Sequence, residues 1–211
     1  MTRLDRLIRE TDPAGNATSY EYDLSDNLTA LTDRNGNRTE FAYDAVNRQV
    51  ARIDALGAVF EMEYDGNSNL LTARDELGRE TQFSYDGRDR LTTLIDANQE
   101  DVHYTYDPFG NLLTVTDQLD RTTTYTYDGI NRRIAVADPL NHVTQFEYDP
   151  SGNLIALVDA LNRRTEYQYD DLNRLTQTTN PLLDTVVTSY DGVGNVVALT
   201  DELNRTTEYG V

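Results

Sequence analysis

Residues 106–112 are Tyr-Asp-Pro-Phe-Gly-Asn-Leu, and this short stretch contains the signal that decides the fold. Its Tyr-Asp dipeptide returns every 21 residues along the chain, without one insertion or deletion. The copies are Tyr22-Asp23, Tyr43-Asp44, Tyr64-Asp65, Tyr85-Asp86, Tyr106-Asp107, Tyr127-Asp128, Tyr148-Asp149, Tyr169-Asp170 and Tyr190-Asp191. A fixed period of this length predicts a tandem-repeat architecture, in which each unit packs against its neighbours.

A second aspartate divides each repeat roughly in half. It lies eleven residues after the tyrosine, at Asp33, Asp54, Asp75, Asp96, Asp117, Asp138, Asp159 and Asp201. Asp12 precedes the first Tyr-Asp pair, and Asn180 is the one position where another residue replaces the aspartate. Both kinds of aspartate begin turn-like sequences, such as 107–110, Asp-Pro-Phe-Gly, and 12–15, Asp-Pro-Ala-Gly. This chemistry favours a type I turn followed by a left-handed residue. We expect hairpin loops of four or five residues.

The segments between the turns are about six or seven residues long and rich in Thr, Tyr, Phe, Val, Leu and Ile, which favours strands over helices. In most copies a second aromatic ring lies two residues before the tyrosine, at Tyr20, Phe41, Phe83, Tyr104, Tyr125, Phe146 and Tyr167. Met62 and Thr188 are the exceptions. Side chains alternate along a strand, so the rings should share one face. The predicted fold is all-β, with about twenty strands in tandem antiparallel β-hairpin repeats that form a continuous curved sheet. We expect a single array of about ten repeats over 1–211.

A longer period lies inside the array. The residue five positions after each tyrosine alternates between Asn and Arg, and Arg6 continues the series backwards: Asn27, Arg48, Asn69, Arg90, Asn111, Arg132, Asn153, Arg174 and Asn195. The true unit is therefore about 42 residues long. We expect the guanidinium of one hairpin to bridge turn carboxylates on its neighbours, because its planar fork suits that role.

The composition argues against several classes of partner. All 18 basic residues are Arg, against 37 acidic residues, and the net charge of −19 should repel nucleic acid and anionic membranes. The turn aspartates supply about half of the acidic residues, so most of the charge follows from turn chemistry. Without Cys the chain has neither disulfides nor thiolate metal sites. No apolar run predicts membrane insertion, and no signal-peptide pattern opens the chain.

Catalytic and metal-binding signals are weak. His103 and His142 lie at different offsets in the repeat, and we expect surface or strand positions for both. Rows of aspartate could supply calcium ligands, but no segment has the spaced series of an EF-hand loop. Phosphate-loop, zinc and nucleophile-elbow patterns are absent from the sequence. The sequence therefore predicts no enzyme, no cofactor, no metal site and no catalytic residue, and the Tyr-Asp pairs are the predicted structural residues.

Two versions of the motif, Tyr-Asp-x-x-Gly-Asn-Leu at 106–112 and Tyr-Asp-x-x-Asn-Arg-Leu at 169–175, resemble the RHS or YD repeat. The resemblance covers essentially the whole chain. The family includes bacterial polymorphic toxins, shell components of insecticidal toxin complexes and animal teneurins, whose hairpins wind into a hollow β-shell. In bacterial members the shell encloses a cleavable toxic domain. The resemblance implies a segment of an RHS-type β-shell, secreted or at the cell surface, and a chain of ten repeats is expected to be a fragment or a short array.

Two functions stay open from the sequence. The chain could be a segment of an encapsulating shell, with neighbouring repeats and a toxin or other cargo as partners. Alternatively, it could be an adhesion or carbohydrate-binding surface, where an aromatic ladder recognises a glycan. The terminal strands, near Thr2 to Ile8 and Thr206 to Val211, should have unpaired backbone groups, through which another copy of the chain would associate.

Overall fold

The computed structural model describes residues 6–210, which form strands and turns without a helix. The chain divides into two compact units, Met1–His103 and Tyr104–Val211. The first contains β1 (Arg9–Thr11), β2 (Ala17–Tyr22), β3 (Leu28–Thr32), β4 (Arg38–Tyr43), β5 (Gln49–Ile53), β6 (Val59–Tyr64), β7 (Leu70–Arg74), β8 (Glu80–Tyr85), β9 (Leu91–Ile95) and the beginning of β10 (Asp101–Tyr106). The second contains the end of β10, then β11 (Leu112–Thr116), β12 (Thr122–Tyr127), β13 (Arg133–Ala137), β14 (Val143–Tyr148), β15 (Leu154–Val158), β16 (Arg164–Tyr169), β17 (Leu175–Thr179), β18 (Thr185–Tyr190), β19 (Val196–Thr200) and β20 (Thr206–Glu208).

Consecutive strands pair antiparallel within each unit. The pairing runs from β1 to β10 in the first unit and from β11 to β20 in the second. The predicted all-β class, with tandem antiparallel hairpins and about twenty strands, is confirmed; the single array over 1–211 stays a prediction. We call the turns that follow the Tyr-Asp tyrosines the Tyr-Asp rim of each unit. The turns that begin at the second aspartate form the second rim.

One set of hydrogen bonds closes the turns, as the turn at Asp12 illustrates. The Asp12 N–H donates to the Asn16 carbonyl at 2.9 Å, and the Gly15 N–H donates to the Asp12 carbonyl at 3.0 Å. The Asp12 carboxylate accepts the N–H groups of Ala14 and Asn16, each at 2.9 Å. Gly15 has a φ of +88°, so the predicted type I turn with a left-handed fourth residue is confirmed. Five residues, Asp12 to Asn16, lie between the paired Thr11 of β1 and Ala17 of β2, so the predicted loop length of four or five residues is confirmed.

A β-bulge beside the Tyr-Asp turns keeps the rings on one face. Between β2 and β3, Tyr22 pairs with Leu28 while Glu21 pairs with Ala30, which leaves Thr29 over. The same slip precedes the tyrosine in β4, β6, β8, β12, β14, β16 and β18. Because side chains alternate with a period of two and 21 is odd, a regular ladder would turn the rings of consecutive repeats to opposite sides. One residue left over in each repeat cancels that reversal.

Each unit is a sheet with two chemically different faces. In β12, Tyr125 and Tyr127 are half-buried while Thr124 is exposed, which confirms the predicted alternation. We call these two sides the ring face and the polar face. Among the described residues only Ala30 and Ala156 are buried, with exposures of 1% and 0%. The sheet is therefore not covered by a second layer formed by the part of the chain that the structure describes.

Ion pairs on the polar face cover the two buried alanines. Ala30 pairs with Glu21 on one side and with Glu40 on the other. Arg38 holds both carboxylates, with Nη2 at 3.0 Å from Glu21 and Nε at 2.9 Å from Glu40. Glu147, Arg164 and Glu166 repeat the arrangement around Ala156. On this face one arginine therefore holds two carboxylates in each cluster, and such ion pairs suit contact with water.

The one asparagine among the turn-leading residues has a local cause. Asn180 Oδ1 accepts the N–H groups of Leu182 at 2.9 Å and Asp184 at 3.0 Å, as a turn aspartate does. Its Nδ2 also donates to Asp184 Oδ2 at 3.0 Å. An aspartate at position 180 would set two carboxylates against each other, which is unfavourable.

We expect Asn180→Asp to lower the melting temperature at pH 7 by about 2–4 °C, the shift typical of losing one contact in a chain of this size. The double variant Asn180→Asp/Asp184→Asn should restore it, because it recreates the pair in which Asn37 Nδ2 donates to Asp33 Oδ2 at 2.8 Å. Thermal unfolding followed by circular dichroism measures both. A single variant that melts like the wild type would contradict the assigned contact.

Candidate functional site

Tyrosine hydroxyls join consecutive repeats along the Tyr-Asp rim. Each Tyr-Asp tyrosine is the last residue of its strand, and its aspartate begins the turn. The hydroxyl of Tyr43 donates to the carbonyl of Leu28 in the preceding repeat at 3.0 Å, and Tyr169 donates to Leu154 at the same distance. The same bond joins Tyr22, Tyr148 and Tyr190 to the repeats before them. Burial raises the pKa of the Tyr43 and Tyr169 hydroxyls, so these groups act as donors.

Arginines in alternate repeats reach in the opposite direction. Arg132 Nε donates to the carboxylate of its own turn, Asp128, at 2.7 Å, and Nη1 donates to the Asp149 carbonyl of the next Tyr-Asp turn at 2.9 Å. Its guanidinium carbon lies 4.8 Å from the centre of the Tyr148 ring, a favourable cation–π distance. Arg48 and Arg174 make the same three contacts.

The predicted bridging of neighbouring carboxylates was therefore wrong for Arg48, Arg132 and Arg174. On the neighbouring turn their acceptor is a backbone carbonyl, and the carboxylate that they contact belongs to their own turn. Arg6 does bridge in the predicted way, because it bonds the Asp26 carboxylate of the next turn as well as the Asp23 carbonyl at 3.1 Å. This carbonyl also closes its own turn, as Asp149 does by accepting the Gly152 N–H at 3.1 Å, and it accepts the arginine with its second lone pair.

Asparagines occupy the intervening repeats and reach a different acceptor. Asn111 Nδ2 donates to Asp107 Oδ2 and to Asn131 Oδ1, both at 2.8 Å. Asn131 is the fourth residue of the next Tyr-Asp turn, with a φ of 65°. The corresponding pairs are Asn27 with Asn47, Asn69 with Asp89, and Asn153 with Asn173. A short amide therefore needs a side-chain acceptor on the turn that it reaches.

This difference explains the 42-residue period. The turns that receive an Asn amide have an oxygen-bearing side chain in fourth position: Asn47, Asp89, Asn131 and Asn173. The turns that receive an Arg accept through a backbone carbonyl. Their fourth residues are Gly152 and Gly194 in the second unit, whereas Asp26 and Ser68 in the first unit also accept from the arginine through their side chains. The Arg and Asn alternation was evident in the sequence, but the matching alternation of Gly and Asn in fourth position, which is present in the second unit, was missed.

Converging donors keep the turn carboxylates ionised. The Arg90 guanidinium, followed by the Arg88 backbone N–H, lowers the pKa of Asp86 to about 2. The Asn37 amide is the main cause that lowers the pKa of Asp33. Donors that bond the charged form favour it over the protonated form. Within residues 6–210 no group of three or more His, Asp or Glu is placed to hold a metal ion.

The histidines lie on the surface, as predicted, but one of them has neighbours that sequence reasoning missed. His103 Nε2 lies 3.0 Å from Asp101 Oδ2, and its Nδ1 lies 3.2 Å from Thr93 Oγ1 across the strand pair. Strand β9 pairs on both sides, so the backbone N–H groups near Thr93 are used in the sheet and do not form an oxyanion hole. His142 lies in a second-rim turn, 2.9 Å from Asp138 Oδ2. We assign both histidines to exposed hydrogen-bonded pairs with a neighbouring aspartate.

Together these features define an all-β tandem hairpin protein whose repeats are joined along one rim by Tyr, Arg and Asn. The sequence matches the teneurin YD-shell family over residues 3–164 and the RHS repeat over residues 148–182. The chain belongs to the teneurin YD-shell family. A search of curated protein sequences gives no match. The described residues contain no helix of the length and apolar character that a membrane span requires.

Solved structures share the fold at low sequence identity. The crystal structure of TcdB2-TccC3 without its hypervariable C-terminal region is 17% identical, with a TM-score of 0.62 over 87% of this chain and 12% of that chain. The TcdB2-TccC3-Cdc42 structure is 16% identical, with a TM-score of 0.58 over 88% of this chain and 13% of that one. A Tc holotoxin pore from Photorhabdus luminescens is 16% identical, with a TM-score of 0.55 over 92% of this chain and 14% of that one. This chain thus spans a small part of each.

An exchange of one rim residue tests the account of the 42-residue period. Arg132→Asn removes the contacts with Tyr148 and Asp149, and we expect it to lower the free energy of unfolding by about 1–2 kcal/mol. Adding Gly152→Asn supplies the missing side-chain acceptor, in a place where a new Cβ meets no atom within 4 Å. The φ of +94° strains a side chain there, but asparagine tolerates the left-handed region better than most residues, so the double variant should recover part of the loss. Urea denaturation measures both. A double variant no more stable than Arg132→Asn would show that the fourth position has no such role.

Acid should unfold the chain. The ordinary pKa of 3.8 falls to about 2 in folded Asp86, so its contribution is fully present above pH 3.8 and is lost as the pH falls through about 2. The lowered pKa values of the other turn aspartates act in the same direction. We expect the melting temperature to drop across this window in 0.15 M salt, where general charge repulsion is screened. A melting temperature that rises towards pH 2 would contradict the prediction.

Proposed function

We propose that this chain is a segment of the wall of an RHS-type shell that encloses or presents a toxin or other cargo, without catalysing a reaction. Its family is one of structural shell repeats. The observation that carries the proposal is the thinness of the sheet, in which Ala30 and Ala156 are the only buried described residues. A single sheet with one apolar and one polar face suits a wall that separates two surroundings. The Tyr-Asp pairs are its proposed structural residues.

We propose that the ring face is the side that contacts cargo. Its rings, such as Phe146 and Tyr148, are half-buried by their neighbours and keep accessible apolar surface. An unfolded or partly folded polypeptide exposes apolar side chains, which gain by leaving water against such a face. The polar face carries the Glu21–Arg38–Glu40 cluster and suits solvent.

The proposed partners are neighbouring repeats of a larger shell, a cargo, or a second copy of the chain. Strands β1 and β20 are exposed in every residue, which suits pairing at a sheet edge. Of the terminal strands expected from the sequence, 1–5 and 211 lie outside the described residues. The similar structures are of toxin complexes, which supports a secreted or cell-surface location. With a net charge of −19, nucleic acid and anionic membranes are not proposed partners.

A glycan-binding surface is the second candidate function. A groove of about 490 Å³ on the Tyr-Asp rim is lined by residues that include Tyr167, Asn153, Gln168 and Asp171. An aromatic ring beside amide and carboxylate groups is suited to stacking on a sugar and bonding its hydroxyls. Reproducible glycan-array binding that Tyr167→Ala abolishes would favour this function over the shell.

Capture of an unfolded polypeptide tests the shell proposal. The probe is reduced and alkylated lactalbumin, and its binding to the full chain is followed by fluorescence anisotropy. We expect Phe146→Thr combined with Tyr125→Thr to weaken capture at least about tenfold, because two ring contacts are lost. The chain itself places Thr188 at this repeat position, so the change suits the fold.

The matched control for this experiment is Gln145→Glu on the polar face. It introduces the residue type that the chain already has at Glu166, the same repeat position, and its capture should equal that of the wild type. Capture that survives the ring variant, or that the control lowers equally, would reject the ring face as the cargo surface.

A further inference from the structure

Exposed leucines project from five consecutive turns of the second rim in the second unit. The third residue of each turn is Leu119, Leu140, Leu161, Leu182 and Leu203, with exposures between 64% and 81%. We call these residues the leucine row. In the first unit the same positions are Ala14, Asn35, Leu56, Leu77 and Asn98. Two strands per repeat place successive leucines about 9.6 Å apart, so the row extends over about 38 Å.

The hairpins do not need leucine at this position. The turn uses only the backbone N–H of its third residue, which Leu161 donates to Asp159 at 2.9 Å and Asn98 donates to Asp96 at 2.8 Å. Small polar residues are the usual choice in such turns, because they stay solvated. The Tyr-Asp rim of this unit also has exposed apolar residues in third position, Phe109, Ile130, Leu172 and Val193, but they are of four types and Ser151 interrupts them. Only the second rim has an unbroken row of identical apolar side chains, and contiguous apolar surface of this kind marks an interaction site.

Leu183 provides an independent observation at the same place. It is the fourth residue of its turn, with a φ of 71° and an exposure of 80%. The left-handed conformation disfavours a branched side chain, and at the corresponding position the chain elsewhere uses residues such as Gly15, Asn141 and Asn204. Here the backbone is strained and a second leucine beside Leu182 faces water. Both costs are offset when a partner covers the pair.

We propose that the leucine row is a self-association surface, on which a second copy of this chain packs its own row in antiparallel orientation, about a twofold axis near Leu161. In this arrangement Leu119 faces Leu203, and Leu140 faces Leu182. An isologous contact requires a patch that is complementary to itself. A row of five evenly spaced leucines meets this requirement, because rotation about a twofold axis at the central leucine places each leucine opposite another one.

The spacing of the row favours a second copy over a helical partner. A second copy has the same spacing and therefore matches every leucine. An α-helix repeats its apolar face every seven residues, or about 10.5 Å, and would be out of step by almost 4 Å over the row.

The flanking charges favour the antiparallel orientation. Antiparallel packing sets the turn that contains His142 opposite the turn that contains Asp184, whereas parallel packing sets Asp184 against its own copy. The arginines that face each other are already paired within their turns, as Arg163 is with Asp159 at 2.6 Å. The contact is one side chain wide, so it is a weak interface that forms at high protein concentration.

Disulfide trapping tests the orientation, because the chain has no native cysteine. Leu119→Cys and Leu203→Cys proteins are mixed in air with copper phenanthroline, and each is also oxidised alone. Antiparallel packing brings the two positions within disulfide reach, so the mixture should form heterodimers and each single protein should form few homodimers. Homodimers that form as readily as heterodimers would overturn the proposed orientation. Leu172→Cys on the Tyr-Asp rim is the control for random collision.

Sedimentation equilibrium of the full chain tests the surface. The triple variant Leu140→Asn/Leu161→Asn/Leu182→Asn, which follows the example of Asn35 and Asn98, should weaken self-association at least about tenfold. Leu172→Asn, which follows Asn67 at the other rim, should leave it unchanged. A wild type that is monomeric at every concentration, or a triple variant that associates like the wild type, would overturn the proposal. Neither result affects the capture of unfolded polypeptide by the ring face.

Leu183→Asn separates binding from folding. It relieves the left-handed leucine, so the melting temperature should rise while self-association weakens. A purely structural role for Leu183 would change only the melting temperature, and unchanged association would remove it from the surface.

Discussion

The aspartate carboxylate that begins a turn is the interaction on which the structure depends. It accepts the backbone N–H groups two and four residues further on, as Asp128 does from Ile130 and Arg132, and so closes the turn and starts the next strand in register. With only two alanines buried among the described residues, little stability can come from packing between layers. Hairpin closure and contacts between adjacent repeats must supply it. The acidic composition is thus a consequence of the fold.

The odd repeat length imposes a second constraint. Strand side chains alternate, so a repeat of 21 residues keeps its rings on one face only if one residue in each repeat leaves the pairing. The bulge beside the tyrosine does this, as Thr29 shows between β2 and β3. It also brings the tyrosine to the end of its strand, from where its hydroxyl reaches the preceding repeat. Ring face, bulge and tyrosine bond are therefore parts of one solution.

Local chemistry made much of the fold predictable from the sequence. Turn positions, strands and the ring face follow from Asp-Pro-x-Gly sequences and alternation, because each depends on a few adjacent residues. The acceptor of Arg132 was missed because a backbone carbonyl has no signature in the sequence. The neighbours of His103 required the register between β9 and β10, and the pairing of Asn111 with Asn131 required the distance between turns.

The two rims of the second unit have the same turn but use it for different purposes. On the Tyr-Asp rim, Arg132 and Asn153 direct their donors to the next turn, so polar groups are satisfied within the sheet and adjacent repeats are held together. On the second rim, Arg121 and Arg163 bond the aspartate of their own turn, and the third residue is left to face outwards. Because the turn requires only a backbone N–H at that position, its side chain can change without a cost to folding. A surface for partners can therefore evolve at the third position of a turn, whereas a change of Arg132 or Asn153, which join adjacent Tyr-Asp turns, would loosen the array.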